Sequence, residues 1–363
     1  MTQISLLVLF LFPAFTISGQ IARSIAIAMC LLCCHPKTVK KLAEPGILLL
    51  TWFAWAVFCS YQSDNFQLSL FGYHKRFEGI ITWILAISFG WLFWRTSKLN
   101  SLFITCGLIL AICLGAMIFR PDIYKNVIFG HIAIGAFAAI VACMFMVKHP
   151  LYIGIALPFI AITLNRSMLL ALLFGAMAYG LVHRKKLLES FKTWKPWAVC
   201  GVIFTLCVIA AYPKLKNIDP RSFGSGARTD FARQTIQASI IRPILGYGID
   251  SQSKILIPPI NDKSEYRWDS RPDGTQYKVY FNVDRCHNFL LDILLQTGLV
   301  GVAIWVLILT RMTYRTLLMP NEINQACLYG TAAVMGFGMM NPFGIPAMFL
   351  LCLCVLGIER KDE

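Results

Sequence analysis

Apolar runs long enough to approach or cross a bilayer recur from one end of this chain to the other, separated by short polar breaks. Each such run must be buried, either in protein or in lipid. The chain has too little polar sequence to surround them all with a water-facing surface. Of 363 residues, 57% are hydrophobic and only 14% charged, where a soluble domain carries roughly a quarter charged residues. The mean hydropathy is +0.65. This excludes a soluble enzyme, a disordered chain and a secreted disulfide scaffold, and predicts an all-α polytopic membrane protein.

The runs are read as about twelve transmembrane helices. They fall at residues 3–18, 20–34, 46–60, 79–94, 101–119, 127–147, 151–164, 168–182 and 197–212, then 288–309, 326–340 and 345–358. The first pair is short for a hydrocarbon core of about 30 Å, so residues 3–34 form one span or two. No basic residue precedes Arg23, so the beginning lacks the charged region of a cleaved signal peptide. The resulting segments are a nine-span bundle (1–212), a long polar loop (213–286) and a three-span bundle (287–363).

A net charge of +15 raises the question of nucleic acid, but its distribution answers it. Lys37, Lys40 and Lys41, Arg95 and Lys98, Lys148, Arg184 to Lys186, Arg311 and Arg315, and Arg360 and Lys361 all fall on one side of the span count. The positive-inside rule makes that side cytoplasmic. Both termini are then cytoplasmic, and the long loop faces the periplasm of a bacterial inner membrane. Most of the 13 cysteines sit inside apolar runs, where Cys behaves as a small hydrophobe. Cys30, Cys33, Cys34 and His35 miss haem-attachment spacing, since His35 stands two places after Cys33. Neither a metal site nor a disulfide framework is expected, and no cofactor.

The long loop has structure of its own. In residues 228–241, Phe231, Thr235, Ala238 and Ile241 share one helical face with Ala232, Ile236 and Ile240 beside it. An amphipathic helix lying at the interface or packed on the bundle is expected. Pro243, Gly246 and Gly248 punctuate a turn. Residues 266–269 and 276–282 flank Arg271-Pro272-Asp273-Gly274, the pattern of a hairpin.

Chemistry at the outer face calls for polar residues where external loops meet helix ends. Four features qualify: Gly72-Tyr-His74-Lys75-Arg76-Phe-Glu78-Gly79; Asn165-Arg166-Ser167; Arg228 with Arg233; and Arg285-Cys-His287-Asn288, followed by Asp292, Gln296 and Gly298-Leu-Val-Gly301. Each has a plainer reading. Arg76 beside Glu78 suits an interfacial anchor, loop arginines such as Arg233 and Arg242 are ordinarily solvated, and a histidine at a helix start suits a cap. Asp292 suits pairing with a neighbouring helix or a hydrogen bond on its own helix face. Arg166 resists such a reading, because an arginine at a helix centre costs about 2.5–3.5 kcal/mol on insertion scales and a two-helix turn needs none.

Together these features resemble one family. His287-Asn288-x-Leu290-Leu291 running into Gly298-Leu299-Val-Gly301 resembles the signature that follows the long periplasmic loop of the O-antigen ligase and polymerase superfamily. Arg228, ahead of Pro243-x-x-Gly246-x-Gly248, is similar to that family's loop segment. Asn165-Arg166-Ser167 resembles its Ser-Arg-Ser/Gly turn, with Asn165 where serine is common. Residues 72–79 resemble an Arg-x-x-Gly entry. Gln296 departs from the pattern, standing where many members carry an acid.

The resemblance implies a metal-independent, inverting membrane glycosyltransferase. Its donor would be a glycan on undecaprenyl diphosphate. Its acceptor would be lipid A–core for a ligase, or the end of another lipid-linked repeat for a polymerase. Such a donor already has a good leaving group and needs fixed cations rather than strong acid. Arginine supplies forked, permanently charged donors to phosphate oxygens. Arg166, Arg228 and Arg76 are the candidates. The acceptor hydroxyl needs a base near neutral pH, and His287 is the candidate, since imidazole titrates near a pKa of about 6.5. Asn288 supports it. A lipid-linked sugar flippase or other transporter is the competing class, but such folds commonly show two similar halves, and none is visible here.

Overall fold

The computed structural model describes residues 42–63, 66–72, 79–96, 99–119, 131–163, 166–184, 226–256, 266–270, 276–280, 286–340 and 345–359. The expected spans at 3–34 and 197–212 lie outside the described residues, as does Arg76. A helix stands in each expected segment within that set, and two short ones, Phe66–Phe71 and Gln252–Ile255, stand where none was expected. The helices are α1 (Glu44–Tyr61), α2 (Phe66–Phe71), α3 (Ile80–Thr96), α4 (Leu99–Phe119), α5 (His131–Phe145), α6 (Leu157–Thr163) and α7 (Arg166–Val182). After these come the loop helices α8 (Gly226–Ile241) and α9 (Gln252–Ile255), then α10 (Phe289–Leu318), α11 (Glu322–Gly338) and α12 (Ile345–Leu356). Strands β1 (Tyr266–Ser270) and β2 (Gln276–Tyr280) pair antiparallel with Tyr266 opposite Tyr280 and Ser270 opposite Gln276, in the segments the sequence marks as a hairpin.

Among the described residues two helices, α1 and α10, are long and apolar enough by length and composition to cross a membrane; shorter apolar helices of 10–17 residues accompany them. The run at 151–164 is not one α-helix. It opens as a 3₁₀ stretch, Pro150–Ala156, capped by His149 Nδ1, which accepts from Leu151 N at 3.2 Å, and turns α-helical only at Leu157. Pro158 falls in the first turn of α6, where its missing N–H costs nothing.

Small residues line the inside of α5, and large apolar ones face outward along α7 and α4. Described positions 135–144 of α5 are all buried, and most are Ala, Cys or Gly. By contrast Leu169, Leu173, Met177 and Leu181 form an exposed stripe along α7, and Ile104, Leu108 and Ile112 another along α4. In water such stripes would be a liability; against lipid they are at rest.

Cross-helix bonds show which ends meet. Arg315 and Arg311 reach Glu44 at 3.1 and 3.7 Å, Lys148 pairs with Glu322, and His183 Nε2 lies 3.2 Å from Gln325 Oε1. These groups occupy one end, the basic end. At the other end α1 reaches the loop and the upper part of α10. Between them, Trp52 packs edge-on against Trp83 and Trp305 (centroids 4.8 and 5.4 Å), and Trp305 against Phe289 (5.3 Å), joining α1, α3 and α10. On the far side of α3, Trp94 Nε1 donates to Leu353 O in α12.

Candidate functional site

The end opposite the basic loops is organised by a break in α10. Gly298 has φ 66° and ψ −169°, a conformation essentially reserved for glycine. The break frees backbone groups that a continuous helix would pair internally, and in an apolar setting each unpaired group costs about 1–3 kcal/mol. All four that matter find partners. Tyr247 N donates to Leu295 O and Gly248 N to Gln296 O, both at 2.9 Å. Trp55 Nε1 donates to Thr297 O at 2.9 Å, and Leu299 N donates to Pro243 O at 2.8 Å. The turn at 243–248 is therefore docked backbone to backbone on the kink. A Cβ on Gly298 would overlap the Ile244 carbonyl, and one on Gly246 would come within 2.6 Å of Leu295 O. The two glycine-containing motifs singled out in the sequence are the two halves of one joint.

Further bonds seat the loop on the bundle. Ile249 N donates to Ser60 Oγ at 2.9 Å, and Tyr247 OH to Ala238 O at 3.1 Å. As a result no residue of α10 before Leu299 is exposed.

Inside this collar lies a buried polar cluster. Asp292 is 3% exposed. Cys286 Sγ donates to its Oδ1 at 3.0 Å, and Gln252 Nε2 from α9 lies 3.5 Å from the same oxygen. Burial pushes the Cys286 thiol far up, and the Asp292 carboxylate raises it further, so the sulfur keeps its proton and serves as donor. Thr235 of α8 also bonds this thiol. Asp292 thus ties the loop to α10 rather than pairing with a neighbouring span.

His287 and Asn288 stand at the rim. The cap of α10 is Asn288, whose Oδ1 accepts from Leu290 N and Leu291 N at 3.0 and 3.2 Å. His287, the residue read as a possible cap, is half-buried and held at φ 59°. A left-handed histidine costs about 1–3 kcal/mol and persists only where the surroundings impose it. Asn288 Nδ2 also donates to Met339 O at 3.4 Å, joining the top of α10 to the end of α11. One turn back, Gly336 lies so close to α7 that a Cβ would be 2.5 Å from Leu170 O. Arg166 is the first residue of α7, one turn from Leu170. The start of α7 and the His287 rim therefore share one end of the bundle. Arg228 lies in the first turn of α8, which packs on α10. For both arginines the structure describes the backbone alone.

The face of α8 agrees with expectation in part: Phe231, Thr235 and Ala238 turn inward as their spacing predicts, while Ile241 does not. Thr235 and Ser239 are buried, each returning its hydroxyl to the carbonyl four residues back, and Phe231 and Ala238 are half-buried. Ile236, Ile240 and Ile241 point outward. Hydrophobicity in α8 is divided along its length, polar first and apolar last, rather than between faces.

Residues 151–306 match the O-antigen ligase family. The match covers somewhat under half of the chain and takes in Arg166, Arg228, His287, Asn288 and both halves of the Gly298 joint; Arg76 lies outside it. No curated protein matches the chain. The O-antigen ligase match supports a membrane enzyme of the ligase or polymerase type acting on lipid-linked glycans. Sequence reading did not find Ser60, Trp55 or Gln252, because each contributes a lone polar group whose partner is far away in the chain.

Proposed function

We propose that the chain transfers a glycan from undecaprenyl diphosphate to a sugar hydroxyl of lipid A–core at the periplasmic face, as an O-antigen ligase. The observation that carries this reading is the convergence at one end of the family-matched residues. His287 is held in a strained conformation beside the Asn288 bond to Met339, and α7 opens with Arg166 at the same end. In this reading His287 takes the proton from the acceptor hydroxyl. The oxygen attacks the anomeric carbon from the face opposite the diphosphate, the carbon–oxygen bond to phosphate breaks, and the diphosphate leaves with the electron pair. The anomeric centre inverts. Arg166 and Arg228 each stand in the first turn of a helix, where unpaired N–H groups add to a guanidinium's pull on phosphate. Arg76 is a third phosphate contact from sequence. With fixed cations in these places the leaving group needs no metal ion.

The test is transfer by the purified protein from a lipid-linked glycan to core lipid A in excess EDTA. Polymer appearing on the core supports the reading. Lipid-linked chains that lengthen while the core stays bare make the protein a polymerase. Activity lost in EDTA and restored by Mg²⁺ removes metal independence. Orientation is checked by reporter fusions: those near Lys41, Lys98, Lys186 and Arg315 should read as cytoplasmic, and those near Asn65, Lys125 and Asp262 as periplasmic. A cytoplasmic signal at Asp262 would overturn the proposal, since the donor glycan lies outside.

A further inference from the structure

We infer that the end of α8 and the turn after it, residues 236–245, are immersed in the outer leaflet of the bilayer, with lipid acyl chains covering Ile240, Ile241, Ile244 and Leu245. These four side chains and Ile236 are exposed, Ile240 by 71% and Ile241 by 75%. Nothing else among the described residues covers them. The single charge in the stretch, Arg242, is half-buried and turned onto the Tyr247 ring, 5.1 Å from its centroid.

What covers the patch follows from its neighbour. Leu299 N is bonded to Pro243 O, so the turn runs directly beside Leu299. Leu299 is 58% exposed and begins the outward stripe of α10 that continues through Val306 and Leu307. The patch is continuous with the lipid-facing side of a helix long and apolar enough to span. Depth agrees. Taking the inner boundary between Arg311 and Arg315, a core of about 30 Å corresponds to about 20 residues at 1.5 Å each. Leu299, where the helix below the break begins, stands 12–16 residues or about 18–24 Å above that boundary, which puts it and the turn about 6–12 Å below the outer one. The polar beginning of α8, with Arg228, Asp230 and Arg233, would stay in the headgroup layer or above it. A helix polar at one end and apolar at the other enters a leaflet end-on, unlike one that floats on its side.

The experiment uses the full-length protein in lipid nanodiscs, with an environment-sensitive fluorescent amino acid placed at Ile240 or, separately, at Ile244. Leu307 serves as the lipid-facing reference and Arg233 as the aqueous one. Quenching by chain-brominated phosphatidylcholine close to that at Leu307, with iodide quenching well below that at Arg233, is the expected result. Iodide quenching at Ile240 and Ile244 equal to that at Arg233 would overturn immersion. Quenching by neither agent would overturn it too, because protein, such as a second copy of this chain, would then cover the patch; nanodisc mass would identify that case.

Discussion

Replacing His287 with alanine should lower glycan transfer by about 10²–10⁴-fold, the usual contribution of a positioned general base, while the protein should reach wild-type levels in the membrane. Two features make the test sharp. The cap of α10 belongs to Asn288, so removing the imidazole leaves the helix start intact. The left-handed backbone at residue 287 is accommodated by asparagine at little cost, so His287→Asn keeps the local geometry and a hydrogen-bonding group without a base near neutral pH. Both variants should lose turnover together while donor binding stays near wild type. Full activity in His287→Asn at normal expression removes the base assignment. Arg166→Lys and Arg228→Lys give the contrast: each keeps the charge and loses the fork, so donor affinity and turnover should fall together. Arg233→Lys, at an exposed position of α8, should be nearly silent.

The largest stability effect is expected at Gly298. A side chain there meets a backbone conformation that costs about 1–3 kcal/mol for any other residue. It also overlaps the Ile244 carbonyl, which cannot move without breaking the Leu299–Pro243 bond. Detaching the turn would expose the carbonyls of Leu295 and Gln296 at a further cost of about 1–3 kcal/mol each. Gly298→Ala should therefore destabilise by several kcal/mol and leave little folded protein after detergent extraction. Gly107→Ala is the control, since a Cβ at that helical position meets nothing within 4 Å; it should be neutral or slightly stabilising. Fluorescence-detected size exclusion with a thermal ramp separates the two. Normal melting of Gly298→Ala would show that the turn does not rest on the kink.

The joint also links fold to mechanism. His287 and Gly298 stand at opposite ends of the enclosed part of α10, and the collar of residues 243–256 grips that segment between them. The Asp292 cluster lies along the same segment, so the loop that carries Arg228 and the helix that presents His287 are registered by buried hydrogen bonds rather than by side-chain packing alone.

From sequence alone came the membrane class, the placing of most of the longer helices, the hairpin segments and the identity of the polar features; the short helices α2 and α9 and the run of α10 on to Leu318 did not. The former depend on local quantities: run length, turn chemistry and the sign of charge in short loops. The glycine motifs too were visible, but as signatures without a mechanism. Tertiary structure alone decided that they touch, since the pairing of Pro243–Gly248 with Leu295–Leu299 is a contact between stretches separated by about fifty residues and leaves no periodicity in either. It decided the facing of α8 as well. Helical spacing put Thr235 on the packed side, where it is, but put Ile241 with it and Ile236 and Ile240 beside it; those three are exposed and Ser239 is buried instead, its hydroxyl satisfied within its own helix. In water the isoleucines would have been the ones to hide. Beside a span whose own outward stripe is leucine and valine, exposure to lipid costs them nothing, and the hydrophobic rule that reads soluble helices from sequence no longer selects the inner face.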